Sequence, residues 1–256
     1  MSDQPVVIIT GAGSGIGAAA VQRFYDDGYA VVLSGRTEQK LVDTAEAVGS
    51  QQDARLLVCS ADVTSEQDVD RLIEQTLKYF GRIDTLVNNA GVCVGGEIDS
   101  LSVDDWDKQQ RINGRSMFLT IKKSLPYLKK TKGSVINVSS VSGLGGDWGM
   151  FAYNASKGMV SNLTRALALD FGASGVRVSA VAPSLTRTPM AQGIFDDEQN
   201  YDQFKTRIPM QRGAEPEEVA DVIAFLASSD ARFVSGVVLP VDGGLSASNG
   251  QPNMNG

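Results

Sequence analysis

Tyr153 and Lys157 stand four residues apart in Tyr153-Asn154-Ala155-Ser156-Lys157, a spacing that sets two side chains one turn apart on the same face of a helix. A phenol with a pKa of about 10 is a poor acid or base at neutral pH, but a neighbouring ammonium favours the phenolate and lowers that value. The pair is therefore suited to moving a proton onto or off a substrate oxygen. Ser140 precedes Tyr153 by 13 residues, with Ser139 beside it as an alternative hydroxyl that the alternation of the preceding strand disfavours. Taken alone, a tyrosine and a lysine at this spacing are more often a packed ring beside a solvated charge. The composition leaves few other proton carriers, because the 256 residues include no histidine. Ser-His-Asp hydrolases, Cys-His proteases and His-ligated metal centres are thereby excluded. Cys59 and Cys93 form no CxxC pair, so no metal site or disulfide framework is encoded, and a reducing, cytoplasmic setting follows. Without a histidine to activate it, Cys93 reads as a passive small side chain.

A second constellation is Thr10-Gly11-Ala12-Gly13-Ser14-Gly15-Ile16-Gly17, which follows the apolar run from Val6 and precedes the helix-forming Ala18-Ala19-Ala20-Val21. Glycines permit tight backbone angles there and let a pyrophosphate approach the N–H groups of a helix N-terminus. A flexible turn is the plain alternative, but the order strand, glycine turn, helix favours nucleotide binding. No Gly-Lys-Ser/Thr follows, which excludes a Walker P-loop.

Both constellations need a scaffold that brings them together. Seven short apolar runs read as strands: Val6 to Thr10, Ala30 to Ser34, Leu56 to Ser60, Thr85 to Asn88, Ser134 to Val138, Arg177 to Val181 and Val237 to Val241. Longer helical stretches separate them, the pattern of repeated βαβ units and of strands buried on both faces. Ser65 predicts the N-cap of a helix reaching Tyr79, and Pro216 opens a helix that continues to about Leu226.

The spacing Gly-x-x-x-Gly-x-Gly, Asn88-Asn89-Ala90-Gly91 at the end of the fourth strand, and Ser140 set 13 residues before Tyr153-x-x-x-Lys157 together resemble the short-chain dehydrogenase/reductase family. The resemblance runs from residue 5 to 245. It implies an α/β fold of one Rossmann-type, doubly wound domain over 1–256, with a seven-stranded parallel sheet and helices on both faces. It also implies that Tyr153 gives a proton to a carbonyl oxygen as hydride arrives from nicotinamide, and takes one back in alcohol oxidation. Oxidised nicotinamide would lower the phenol pKa further. Lys157 would hold the nicotinamide ribose, Ser140 the substrate oxygen, and Asn113 would support the lysine through water. Gly11, Ser14, Gly15, Ile16 and Gly17 would cradle the cofactor. Asp62 and Val63 would line the adenine, Asn89 the ribose, and Thr188 the nicotinamide or pyrophosphate. Ser184 stands where the family usually has glycine. Members that bind NAD carry an acidic residue after the second strand; this chain has Arg36, which suits a 2′-phosphate. NADP(H) is therefore favoured, with NAD(H) bound through Glu38 or a backbone group as the alternative.

Lys+Arg of 23 against Asp+Glu of 30 give a net charge of −7, which argues against nucleic acid or an anionic membrane as partner. The resemblance implies instead a small carbonyl or alcohol substrate as partner. Residues 189–211 are expected to form a substrate lid and 246–256 an irregular tail. Trp148 narrows the pocket or lies at the surface or in an interface. Segments between Ser140 and Tyr153, at Pro183 to Thr186 and at Ser248 to Pro252 look like those of acetoin, diacetyl and 2,3-butanediol dehydrogenases, and the family implies a homotetramer. A 3-oxoacyl-thioester reductase would need a basic docking patch for acyl carrier protein, with Lys122, Lys123, Lys129 and Lys130 as candidates or as a solvated helix face. A nucleotide-sensing binding protein is the non-enzymatic alternative, disfavoured by the intact Ser140, Tyr153 and Lys157.

Overall fold

The computed structural model describes residues 4–49 and 53–251. Strands β1 (Val6–Thr10), β2 (Ala30–Gly35), β3 (Leu56–Ser60), β4 (Thr85–Asn88), β5 (Ser134–Val138), β6 (Arg177–Pro183) and β7 (Val238–Val241) form one sheet in the order β3-β2-β1-β4-β5-β6-β7. Every pairing is parallel. All seven expected strands are present, with small shifts at their ends. β2 runs one residue further because Gly35 pairs with Ser60. β6 extends to Pro183 because β7 pairs with it through Ala182 and Pro183, and β7 itself starts at Val238.

Successive strand residues point to opposite faces. Val7 and Ile9 accordingly enter one apolar core with Phe24, Leu41 and Ile223, while Val6 and Ile8 enter the other with Leu72, Ile121 and Val160. The first face is covered by α1 (Gly15–Asp26), α2 (Glu38–Val48) and α9 (Pro216–Ala227); the second by α3 (Glu66–Phe80), α5 (Ser116–Thr131) and α6 (Phe151–Gly172). Burial of the strands on both sides explains their unbroken apolar runs. Ser65 caps α3 through Asp68 N–H, and Pro216 opens α9 behind a capping box made by Glu215 and Glu218. The Arg177 guanidinium closes the other end of α9, donating to the carbonyls of Leu226, Ala227 and Ser228.

The order of strands reverses between β1 and β4, and a crevice opens at the carboxyl ends of strands at such a reversal. Residues 189–211, expected as a lid of flexible composition, contain α7 (Gln192–Phe195) and α8 (Glu198–Arg207), joined by contact of the Phe195 and Tyr201 rings at 4.9 Å. The segment is tied down at its end by buried Ile208. The expected irregular tail begins with a short helical turn at Leu245–Ala247, and residues 252–256, including Pro252, lie outside the described residues. Among the described residues no helix is long and apolar enough to cross a membrane.

Candidate active site

The glycine turn leaves β1 and enters α1 at Gly15, three residues earlier than the sequence suggested. Gly11 and Gly15 have φ of +67° and +53°, values that side chains with a Cβ rarely adopt. Gly17 is required for space instead: a Cβ there would lie 2.1 Å from the Gly11 carbonyl oxygen. Ser14 is the N-cap of α1 but its hydroxyl makes no capping bond, so the N–H groups of the first turn, at Gly15, Ile16 and Gly17, keep no side-chain acceptor. Free donors at a helix N-terminus behind a turn without Cβ atoms fit a pyrophosphate. Thr188 stands over this turn, its Cγ2 2.9 Å from where a Gly15 Cβ would be.

Asn89, expected to lie along the ribose, also braces the glycine turn. Its amide donates to the carbonyls of Thr10 and Gly11 at 3.0 and 3.2 Å, while Thr10 Oγ1 accepts from the N–H groups of Asn89 and Ala90. Side chain and backbone thus lock the glycine turn to the end of β4. Asp62 and Val63 follow β3. The Asp62 carboxylate accepts from Thr64 N–H and Oγ at 2.9 and 2.8 Å, which fixes its direction, and Val63 is buried beside it. Arg36 follows β2 and is exposed.

Ser140, Tyr153 and Lys157 meet where β5 ends against the first turns of α6. Ser139 turns to the interior, bonded to Ser161 Oγ and the Lys157 carbonyl, whereas Ser140 lies on the Tyr153 side, its Oγ bonded to Ser142 and placed to lower the phenol pKa. This separates the two serines as strand alternation predicts. Lys157 Nζ donates to the Val138 carbonyl at 2.8 Å and lies 5.6 Å from the centre of the Tyr153 ring. Its full burial pulls the ammonium down to about 8.

The expected depression of the Tyr153 pKa by this lysine does not occur among the protein's own groups. Burial drives the phenol well above its ordinary value; Cys93 adds to that, and the Ser140 hydroxyl opposes it. The physical reason is that the ammonium is turned to a backbone carbonyl, so desolvation outweighs attraction.

Asn113 lies in a π-helical turn, Arg111–Arg115, between α4 (Val103–Gln110) and α5. Its amide donates to the Val92 carbonyl and Ser156 Oγ at 2.8 and 2.9 Å, and its Oδ1 accepts from Val92 N–H at 2.8 Å. The side chain therefore ties the loop after β4 to α6. A Cβ on Gly91 would stand 3.3 Å from Asn113 Oδ1 and 3.7 Å from Lys157 Nζ, so the loop, the asparagine and the lysine converge.

Several site residues carried no signal in the sequence. Lys40 belongs to α2 yet sits against the glycine turn, its Cβ 2.9 Å from where a Gly13 Cβ would be. Ser142 bridges Ser140 and Asp147, and no spacing rule marks such a serine. Trp148 is 96% exposed, which favours the surface or interface reading over the pocket. Lys123 is paired with Glu66 and Asp70, and Lys122, Lys129 and Lys130 lie over the rings of Phe118, Phe171 and Tyr127. These lysines have intramolecular partners, which speaks for a helix face more than for a docking patch.

Comparison with known proteins agrees with this geometry. Residues 11–246 match a family model described as "Enoyl-(Acyl carrier protein) reductase". The chain is 46% identical over 252 residues to meso-2,3-butanediol dehydrogenase of Serratia marcescens, covering 98% of each chain. It superposes on a 3-ketoacyl-(acyl-carrier-protein) reductase of Brucella melitensis complexed with NADH, with TM-score 0.87, 33% identity and 94% and 98% of the two chains covered. The corresponding values for a variant of the actinorhodin polyketide ketoreductase with NADPH are 0.91, 30%, and 96% and 98%. The chain belongs to the short-chain dehydrogenase/reductase family and is a nicotinamide-dependent oxidoreductase that interconverts CH–OH and C=O groups.

Proposed function

We propose that this enzyme reversibly reduces a small ketone, vicinal hydroxyketone or diketone to the alcohol, with NADP(H) favoured over NAD(H). The observation that carries the reading is the meeting of Ser140, Tyr153 and Lys157 at the crevice whose other wall is the glycine turn. Bound nicotinamide supplies or takes up the hydride. Tyr153 protonates the substrate oxygen in reduction and deprotonates it in oxidation, and Ser140 donates a hydrogen bond to that oxygen as charge builds. The buried Lys157 ammonium holds the ribose side of the pocket, and Asn113 positions it by fixing the loop around Gly91. Gly11, Ser14, Gly15, Ile16, Gly17 and Thr188 hold the phosphates; Asp62 and Val63 face the adenine. Residues 189–211 close over the substrate.

The likeness to a butanediol dehydrogenase supports a vicinal hydroxyketone. Exposed Arg36, with Lys40 against the glycine turn, supports a 2′-phosphate. Cys59 and Cys93 are unpaired, in keeping with a reducing, cytoplasmic setting. A homotetramer is proposed as the working form.

The test is a panel of diketones, hydroxyketones, sugars and acetoacetyl thioesters assayed with NADPH and with NADH. Turnover of diacetyl or acetoin is expected; activity on the thioester alone would overturn the substrate reading. Arg36→Ala should raise the KM for NADPH about tenfold, the worth of one charged hydrogen bond, and leave NADH unchanged. Equal NADPH affinity in the variant removes the basis for the NADP(H) preference.

A further inference from the structure

Arg187 follows β6 at a point where the glycine turn, the lid and the start of α9 meet. Its backbone is pinned to the entrance of α9: Ala214 N–H donates to the Leu185 carbonyl at 2.9 Å, and Arg187 N–H donates to the Ala214 carbonyl at 2.8 Å. Its Nε donates to Glu215 Oε1 at 3.2 Å, and Glu215 belongs to the capping box of α9. The guanidinium carbon lies 4.2 Å from the centre of the Phe195 ring, at the end of α7. Phe195 is an anchor of the lid. It packs on Tyr201 of α8 and covers Gly213, where a Cβ would stand 2.7 Å from its Cζ, while Gly213 N–H donates to the Tyr201 phenol oxygen at 3.4 Å. The two Nη groups of Arg187 meet no acceptor among the described residues. Arg187 shares a cleft of about 700 Å³ with Gly13, Ser14, Gly15 and Lys40, and the next residue, Thr188, touches Gly15. Two carboxylates also reach this cleft: Asp43 accepts from Gln39 Nε2 at 2.9 Å, and Glu217 lies in the first turn of α9. A charged fork with unused donors thus stands between the phosphate cradle and the lid.

We propose that Arg187 takes the cofactor's pyrophosphate through its Nη groups and, with Phe195 stacked on its face, seats α7 and α8 when the dinucleotide binds. This rests on the reading of the glycine turn as the phosphate cradle. A guanidinium carries five donors in one plane, so one edge can serve Glu215 and another a phosphate while the flat face stays open to an aromatic ring. Its bonds to phosphate are charge-assisted and stronger than those between neutral groups. The ion pair with Glu215 already holds the side chain near the cleft, so little rotamer freedom is lost when the phosphate arrives. A guanidinium fixed at both edges is a firmer platform for the Phe195 ring, and the ring carries the lid helices with it. The coupling is reciprocal: the dinucleotide favours the seated lid, and the seated lid favours the dinucleotide. Arg187 is in this sense a positioning residue, acting on substrate through the lid.

Arg187→Ala should raise the Kd of NADPH and of NADH by about tenfold each, the worth of one charged hydrogen bond, because the pyrophosphate is common to both. A loss confined to NADPH would put the guanidinium on the 2′-phosphate and overturn the assignment. The lid is read separately, by trypsin cleavage after Arg207, which is exposed at the end of α8, with the fragments identified by mass. In the parent, saturating NADPH should slow that cut about fivefold or more. ADP-ribose, which carries the pyrophosphate without nicotinamide, should slow it as well. Phe195→Leu should bind NADPH as the parent does and lose the slowing, and Arg187→Ala saturated with NADPH should lose it too. Arg187→Lys keeps the charge without the plane, so it should recover most of the affinity but not the slowing. Slowing that survives in Phe195→Leu and Arg187→Ala, or that NADPH gives and ADP-ribose does not, overturns the latch. If Arg187→Ala fails to fold, Arg187→Lys and Phe195→Leu still decide the matter. A parent that binds neither dinucleotide nor ADP-ribose sinks the phosphate-cradle reading and the latch with it, whereas parent-like Kd values in Arg187→Ala sink the latch alone.

Discussion

Lys157 holds a charge where water does not reach it. An ammonium placed there is disfavoured by desolvation, which lowers its pKa from 10.5 to about 8. Between those two values the unfolded chain binds a proton that the folded chain has released, so this residue makes stability rise from pH 8 to pH 10.5. Below pH 8 its unfavourable contribution is constant. Tyr153 acts in the opposite sense above pH 10, because its raised pKa lets the folded state keep a proton that the unfolded state loses. Lys157→Met, although inactive, should therefore lose the rise in stability between pH 8 and pH 10.5. Urea unfolding at pH 7 and pH 10 measures this; a variant whose stability rises between them as the parent's does would contradict a buried ammonium. The trade is common at sites where function needs a group that folding disfavours.

At the level of elements, the cofactor cradle depends on how closely α1 approaches the turn that precedes it. Gly17 sits against the Gly11 carbonyl and the Asn89 amide, so Gly17→Ala must push α1 away from β4. Overpacking of this kind costs about 1–3 kcal/mol, and here the displacement also misdirects the N–H groups meant for phosphate. A drop of at least about tenfold in NADPH affinity is expected, read by titration of the nicotinamide fluorescence. Affinity equal to the parent's would show that the helix end is not the phosphate site. The neighbouring α9, capped by Glu218 at its start and by Arg177 at its end, packs on α1 and resists the same displacement.

For the molecule as a whole, β7 is a free sheet edge whose valines and leucine are only half-buried. Near it lie Leu169 on α6, 84% exposed, and Phe233, fully exposed, with Gly236 packed closely against Ala168 of the same helix. Large apolar side chains left in water beside an open edge suit a second copy of the chain. Leu169→Glu with Phe233→Glu should convert the proposed tetramer into smaller species in sedimentation velocity. A parent that sediments as one chain of 27.2 kDa would remove the assembly from the proposal. The seven strands and the glycine turn were legible in the amino-acid order, because each follows from periodicity or composition within one element and its neighbour, whereas the Ser140, Tyr153 and Lys157 set was read from the family resemblance. Folding in three dimensions was needed to bring Lys40 to the glycine turn, to make Asn89 its brace, to tie a loop to α6 through Asn113, and to set Ser142 between Ser140 and Asp147. It also reversed the expected direction of the Tyr153 pKa. Those outcomes turn on burial and on which carbonyl a side chain meets, and both are set by segments distant in the chain that the sheet order brings to one edge.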